Sequence, residues 1–458
     1  MNIREDASLV LCTGAILIVA AVAMLTNADE ALLRVAVIGG LAIFCFATRV
    51  LPELVTTLLC FLGFLVLGLA PPEVIFSGFA SGGIWLMISG LIIGTSITQT
   101  GLGKQIATRI FARTGTSYVR TVVLLSTSGL LLGLLVPSTI PRIIVMVPVA
   151  VSLAKEMGME TGSRGQIGLT IAAATSTLLP TYAILTANLP TIVHYGALDT
   201  LLGIKTSYAD YLIAQLPANL VRFGLILACL LPFARGSAPV LQGDGPDAVE
   251  PMTQVQRRLL GLLFVAIAFW ATDSLHGISP AWIAMAVAIA VLIPQLKMMA
   301  KDAMKTSVDM TPVFFLAGVF AVSAVAQHVG LDTLVADSLV PKLGLTAGSG
   351  LHDIYAIAGF SALISHLTTA PAAPVVLVPL ASAMATAADL PVLTVAMAQI
   401  VGIATPLLPY QAPPLLVAMA LAHIPVTTLT RVCLVLAVGV AAIGIPLTWA
   451  WWRLIGIM

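Results

Sequence analysis

Apolar runs of about twenty residues, each long enough to cross a hydrocarbon core as a helix, recur from one end of the chain to the other. They cover roughly 8–26, 31–50, 53–72, 80–112, 164–195, 208–234, 256–274, 279–296, 311–340, 391–422 and 426–452. Two further stretches, 119–158 and 352–388, are longer and carry central prolines, Pro137 and Pro141 in one, Pro371 and Pro374 in the other. A run of that kind reads as a re-entrant helical hairpin, because lipid cannot satisfy the backbone groups that a proline frees. The pattern predicts an all-α polytopic membrane protein with about eleven transmembrane helices plus two re-entrant hairpins.

Composition sharpens this picture. Of 458 residues, 59% are hydrophobic and 9% charged, where a soluble domain carries roughly a quarter charged residues. A net charge of +1 and the lack of a Lys/Arg-rich stretch exclude a nucleic-acid partner. Cys12, Cys45, Cys60, Cys229 and Cys433 lie inside apolar runs at spacings that match no metal motif. The first run has the outline of a signal peptide. Because Arg4 is offset by Glu5 and Asp6 and further spans follow, it is read as an uncleaved first helix. With the N-terminus in the cytoplasm, 15 Lys and Arg fall inside and 4 outside, and Arg142 and Arg222 stay within the membrane. That asymmetry is the one expected of a multi-pass protein of a bacterial inner membrane. It opens the first hairpin to the cytoplasm and the second outward.

The chain also repeats itself. Leu86-Met87-Ile88-Ser89-Gly90, with Gln99 and Gly101-Leu102, matches Phe314-Phe315-Leu316-Ala317-Gly318, with Gln327 and Gly330-Leu331; the offset from Gly90 to Gly318 is 228. Ser138 and Pro148 match Thr369 and Pro379 at offset 231, and Thr177–Pro180 matches Pro406–Pro409 at offset 229. The predicted organisation is a first helix in 1–30 and a first repeat in 31–235, with its hairpin at 119–158 and a broken helix at 164–195. A cytoplasmic linker at 236–255 leads to a second repeat in 256–458, with its hairpin at 352–388 and a broken helix at 391–422. An odd number of crossings per repeat turns the second copy upside down. Inverted repeats with interrupted helices bind substrate where the repeats meet.

Intramembrane charge is scarce, so an anion there would be held by helix N-termini, amides and hydroxyls. The hairpin tips offer these in Pro137-Ser138-Thr139-Ile140-Pro141-Arg142 and in Thr368-Thr369-Ala370-Pro371. The alternative for each is a proline kink whose hydroxyls bond back to the helix. In the broken helices Asn188 and Gln411 are the polar side chains best placed to contribute, either to a ligand or to plain interhelical bonding. Arg142 either neutralises the anion, orients the hairpin, or snorkels to the cytoplasmic side. Arg222 is read as structural. His366 is read as a carrier of a coupling proton or as a packing histidine. No His-Glu-x-x-His, no Gly-x-Ser-x-Gly and no complete phosphate loop occurs, so the chain is not read as an enzyme or an ATP-driven pump.

At these residues the chain resembles the divalent anion:sodium symporter family, the sodium-sulfate and dicarboxylate transporters of the ion transporter superfamily. The family carries Ser-Asn-Thr at each hairpin tip and Thr-Pro-Pro-Asn in each broken helix. Pro137, Ser138 and Arg142 match the first signature, whereas Thr139 stands for its asparagine and Ile140 for its threonine. At the second tip Thr369, Ala370 and Pro371 fall on the signature, beside Thr368; Asn188 and Ala412 fall on threonines, and Pro190, Pro413 and Pro414 on prolines. The resemblance implies a secondary transporter of a small di- or trivalent anion, such as a dicarboxylate or sulfate. It further implies sodium coupling, an elevator mechanism and a homodimer, with no cofactor beyond sodium. The residues assigned to substrate are Ser138, Thr139, Arg142, Asn188, Thr368, Thr369 and Gln411; those that the resemblance assigns to sodium are Ser138, Ile140, Asn188, Thr369, Pro371 and Ala412. Cation-independent anion exchange and a passive anion channel are the alternatives.

Overall fold

The computed structural model describes residues 30–48, 50–111, 117–136, 138–234 and 251–458. The predicted first helix with Cys12, Pro137 and most of the 236–255 linker lie outside the described residues. Among those described there is no strand, and the chain is an all-α polytopic membrane protein.

The helices before the linker are α1 (Glu30–Thr48), α2 (Glu53–Val66), α3 (Gly82–Thr100), α4 (Leu102–Phe111), α5 (Tyr118–Leu135), α6 (Thr139–Glu156), α7 (Arg164–Leu178), α8 (Leu189–Leu202) and α9 (Tyr208–Leu230). After it come α10 (Gln254–Ala271), α11 (Pro280–Leu292), α12 (Thr311–His328), α13 (Leu331–Leu339), α14 (Gly350–Leu367), α15 (Ala373–Leu377), α16 (Ala381–Ala388), α17 (Val392–Ile403), α18 (Pro413–Ala422), α19 (Val426–Gly439) and α20 (Ile445–Leu454). The order of elements is the same on both sides: two helices, a split helix, a helix pair broken at its tip, a broken helix, and a long closing helix.

Six helices among the described residues are long and apolar enough to cross a membrane, the last running from Val426 to Leu454. α16 and α17 are bent by 112° across their short break. Two predicted spans are each divided in the structure. The run at 80–112 ends its first helix at Gly101, whose φ of 67° is left-handed, and the run at 311–340 divides at Gly330, with φ 79°. Glycine takes this conformation without a Cβ penalty and so closes a helix. The predicted spans ran across both glycines, although polar residues flank them: Gln99 and Lys104 around Gly101, Gln327 and Asp332 around Gly330.

Burial separates an inner from an outer layer. Every residue of α7 from Gly168 to Leu178 is buried, and α12 is buried from Phe315 to Val325. Leu58, Leu59, Leu62 and Val66 of α2 lie exposed instead, as do Phe264, Val265 and Phe269 of α10, the apolar outer face that a lipid-spanning helix presents. The halves are cross-braced by polar groups, two of them exposed and one a buried pair that would otherwise be orphaned in an apolar interior. Gln99 of α3 accepts from the Ala300 amide at 3.0 Å, and Gln327 of α12 donates to the Leu201 carbonyl at 3.3 Å. His194 Nε2 lies 3.1 Å from Gln399 Oε1, while Gln399 Nε2 donates to the Leu377 carbonyl at 2.7 Å. At one crossing the backbones nearly touch: a Cβ on Gly83 would come within 2.7 Å of the Gly196 Cα.

Candidate substrate cavity

The loop-side helices are capped by their own side chains. Ser81, Ser117, Ser163 and Ser207 each accept from an amide of the helix that follows, and Thr253 forms a capping box with Gln256. The starts of α6, α8 and α18 differ. Their N-cap residues, Ser138, Asn188 and Ala412, make no side-chain cap bond. Asn188 and Ser138 are among the best N-cap residue types, so their side chains are withheld from a task they would readily perform. α6 and α18 pack against each other, and α8 packs on α15. Each broken helix thus leans on the tip-broken helix pair of the opposite half.

The interruptions meet on one cavity of about 560 Å³. From the first half it is lined by Ser138, Thr139, Ile140, Pro141, Leu189 and Pro190; from the second by Thr369, Ala370, Pro371, Ala412, Pro413 and Pro414. Thr95, Thr98 and Gln99 of α3 add polar groups, Phe46, Met87, Leu91, Ile144 and Phe315 add apolar ones, and the carboxylates of Glu53 and Asp309 also reach its wall. This size and mainly apolar character suit a small ligand oriented by a few polar groups.

The remaining predicted residues lie off the cavity wall. Asn188 is fully buried, accepts from the Thr139 hydroxyl at 2.7 Å, and pairs with Thr181. Arg142 is 1% exposed and does not snorkel. It donates to the Ser138 carbonyl at 3.0 Å, the Ala187 carbonyl at 2.6 Å, Thr139 Oγ1 at 3.0 Å and Asn188 Oδ1 at 3.2 Å, and its Nη1 has no partner. The guanidinium therefore ties the first tip to the first helix break, one layer behind the hydroxyls and amides that reach the cavity. Gln411 plays a comparable part in the second half. Its Oε1 accepts from the Leu407 and Leu408 amides at 2.6 and 2.9 Å, its carbonyl accepts from the Ala370 amide at 3.0 Å, and its buried Nε2 has no partner. Thr368 bonds back to the Ile364 carbonyl at 2.7 Å, whereas Thr369 lines the cavity.

Neither buried arginine has an acidic partner among the described residues. Arg222 donates to Asn219 Oδ1 and the Val401 carbonyl, both at 2.8 Å, and to Thr405 Oγ1 at 2.9 Å. It braces the end of α17. A helix end contributes only about 0.3–1 kcal/mol toward a nearby anion, whereas a whole charge in a low dielectric contributes several-fold more. Arg142 is thus the largest source of positive potential beside the cavity among the described residues. Sequence reasoning missed Thr181, the support of Asn188, and the His194–Gln399 pair. Their only signal was a polar residue in an apolar run.

An all-α polytopic chain whose interrupted helices converge on one cavity is built as a membrane transport protein. The profile of the sodium:sulfate symporter transmembrane region matches residues 4–458, and the chain belongs to that family. It is similar to a "Membrane protein" of Cupriavidus necator, 26% identical over 234 residues, 49% of this chain and 45% of that protein. It is also similar to an L-tartrate/succinate antiporter of Escherichia coli, 23% identical over 210 residues, 42% of each. The matched stretch spans less than half the length of these curated relatives. The solved structure of the Alcanivorax borkumensis YdaH transporter shares the fold, with a TM-score of 0.58 and 17% identity, over 84% of this chain and 88% of that one.

Proposed function

We propose that the chain is a secondary transporter of a small anion, held where the two hairpin tips and the two helix breaks meet. The observation that carries this reading is the convergence of residues 138–141, 189–190, 369–371 and 412–414 on one cavity, with uncapped helix starts at its wall. In this reading the halves are inverted repeats, their helix pairs at 118–156 and 350–388 re-entrant, and the cavity opens alternately to each side by an elevator movement within a homodimer in a bacterial inner membrane. The antiporter similarity supports organic anions as substrates, and the family description supports sodium as the coupling ion.

The test is uptake into proteoliposomes. Anion accumulation is expected, with loss of at least about tenfold in Ser138→Ala at unchanged yield and melting temperature; wild-type-like uptake by that variant would remove the site assignment.

A second reading is anion exchange without a cation. It is favoured by Arg142, which carries fixed charge beside the cavity without a carboxylate partner among the described residues. Counterflow that is indifferent to sodium would select exchange, and sodium-dependent uphill uptake would select symport.

A further inference from the structure

A charge closes the seam between the first tip and the first helix break. Arg142 Nη2 stands among three oxygens, the Ala187 carbonyl at 2.6 Å, Thr139 Oγ1 at 3.0 Å and Asn188 Oδ1 at 3.2 Å, while Nε donates to the Ser138 carbonyl at 3.0 Å. Three acceptors around a nitrogen that carries two hydrogens are more than directed hydrogen bonds require. They form an all-oxygen shell around a positive centre, as interrupted helices supply to a sodium ion from unwound backbone and short side chains. None of the four oxygens belongs to a carboxylate, the ligand that a divalent cation recruits. Neither the Ser138 nor the Ala187 carbonyl accepts from a backbone amide among the described residues, so the guanidinium is what satisfies them.

A sodium ion does not fit beside it. Ser138 and Asn188, two of the residues that the family resemblance assigns to sodium, already turn an oxygen to the guanidinium. A second positive charge in that shell would be repelled strongly in a medium of low dielectric, and an arginine does not shed its proton to make room. The fold has cleared space for the group, since a Cβ on Gly133 would stand 2.7 Å from Nη1. At the second seam the tip and the break are joined without a charge. The Ala370 amide donates to the Gln411 carbonyl at 3.0 Å, and Ala373 follows Thr369 at the spacing by which Arg142 follows Ser138.

We infer that the Arg142 guanidinium is a tethered cation, filling the position between the first tip and the first helix break that a sodium ion would otherwise take. This inference deepens the exchange reading and rests on it for its consequence. A guanidinium fixed to the chain cannot leave with the anion. Once the anion is released, its charge is uncompensated in an apolar interior, so the emptied site is held back until another anion binds. Transport is then one anion for another.

Thermal unfolding of the purified full chain in sodium chloride, against choline chloride at equal concentration, tests the tethered cation without any need for transport. Arg142→Ala opens the shell, and Arg142→Met opens it while keeping the packing of the apolar stem. Sodium is expected to raise the melting temperature of either variant by at least about 2 °C more than that of the wild type. An equal response in variants and wild type would overturn the inference and leave exchange standing. Exchange has its own readout in wild-type proteoliposomes, where labelled succinate is expected to enter only against internal succinate. Net uptake into vesicles holding no anion would overturn exchange, whatever sodium does to the variants.

Discussion

Arg142 sits where its charge is most costly, and four acceptors from two separate stretches of chain compensate for that cost. A lysine has one ammonium on a flexible stem and cannot reach both the Ala187 carbonyl and Asn188 in the same geometry. Arg142→Lys is therefore expected to lose at least about tenfold in uptake, as Arg142→Gln does, with Arg142→Gln the better folded because no buried charge is left to satisfy. Uptake and melting temperature measured side by side check this, and full activity in the lysine variant would show that charge alone suffices. The adjoining Gly133 exists for the same group: a Cβ there would stand 2.7 Å from Arg142 Nη1 and 2.5 Å from Thr181 Cγ2.

The breaks were legible in the sequence at element scale, and their meaning was less so. Proline density marked both tips and both broken helices within a few residues of where α6, α8, α15 and α18 begin. The divisions at Gly101 and Gly330 went unread, because a left-handed conformation is not written in residue type, although Gln99 and Lys104, and Gln327 and Asp332, flank the two glycines. Which neighbour faces the cavity was also beyond reach. Thr368 and Thr369 are equivalent on paper, and only the fold turns one back to Ile364 and the other to the cavity wall. Asn188 read either as a ligand group or as an interhelical bond, and the structure bonds it to Thr139, Thr181 and Arg142. The bond from His194 to Gln399 joins residues 205 positions apart, and no local pattern encodes such a pair. It links α8, α17 and the hairpin arm α15. Gln399→Leu leaves His194 Nε2 unsatisfied in an apolar interior, while the Leu377 carbonyl keeps the Leu380 amide at 3.2 Å, so a loss of roughly 1–3 kcal/mol is expected, visible as a lower melting temperature even where the anion cavity is intact.

The whole molecule combines a buried inner layer, α7 and α12, with apolar outer faces on α2 and α10. The proposed topology sets Lys155 at the cytoplasmic end of α6 and Lys342, beyond α13, on the other side. Single cysteines introduced at these positions are expected to react with a membrane-impermeant maleimide from opposite sides of oriented vesicles; labelling from the same side would discard the inverted arrangement. The enclosure of Arg142 has a further consequence, in ionic strength. Charges on a protein surface lose their reach in salt, because counterions gather within about 8–10 Å of them. Arg142 is shielded from mobile ions by Thr139, Asn188 and the turn at Ala187, so its field at the cavity persists in concentrated salt. Anion affinity is then nearly flat against an inert electrolyte, and only ions small enough to enter the cavity compete.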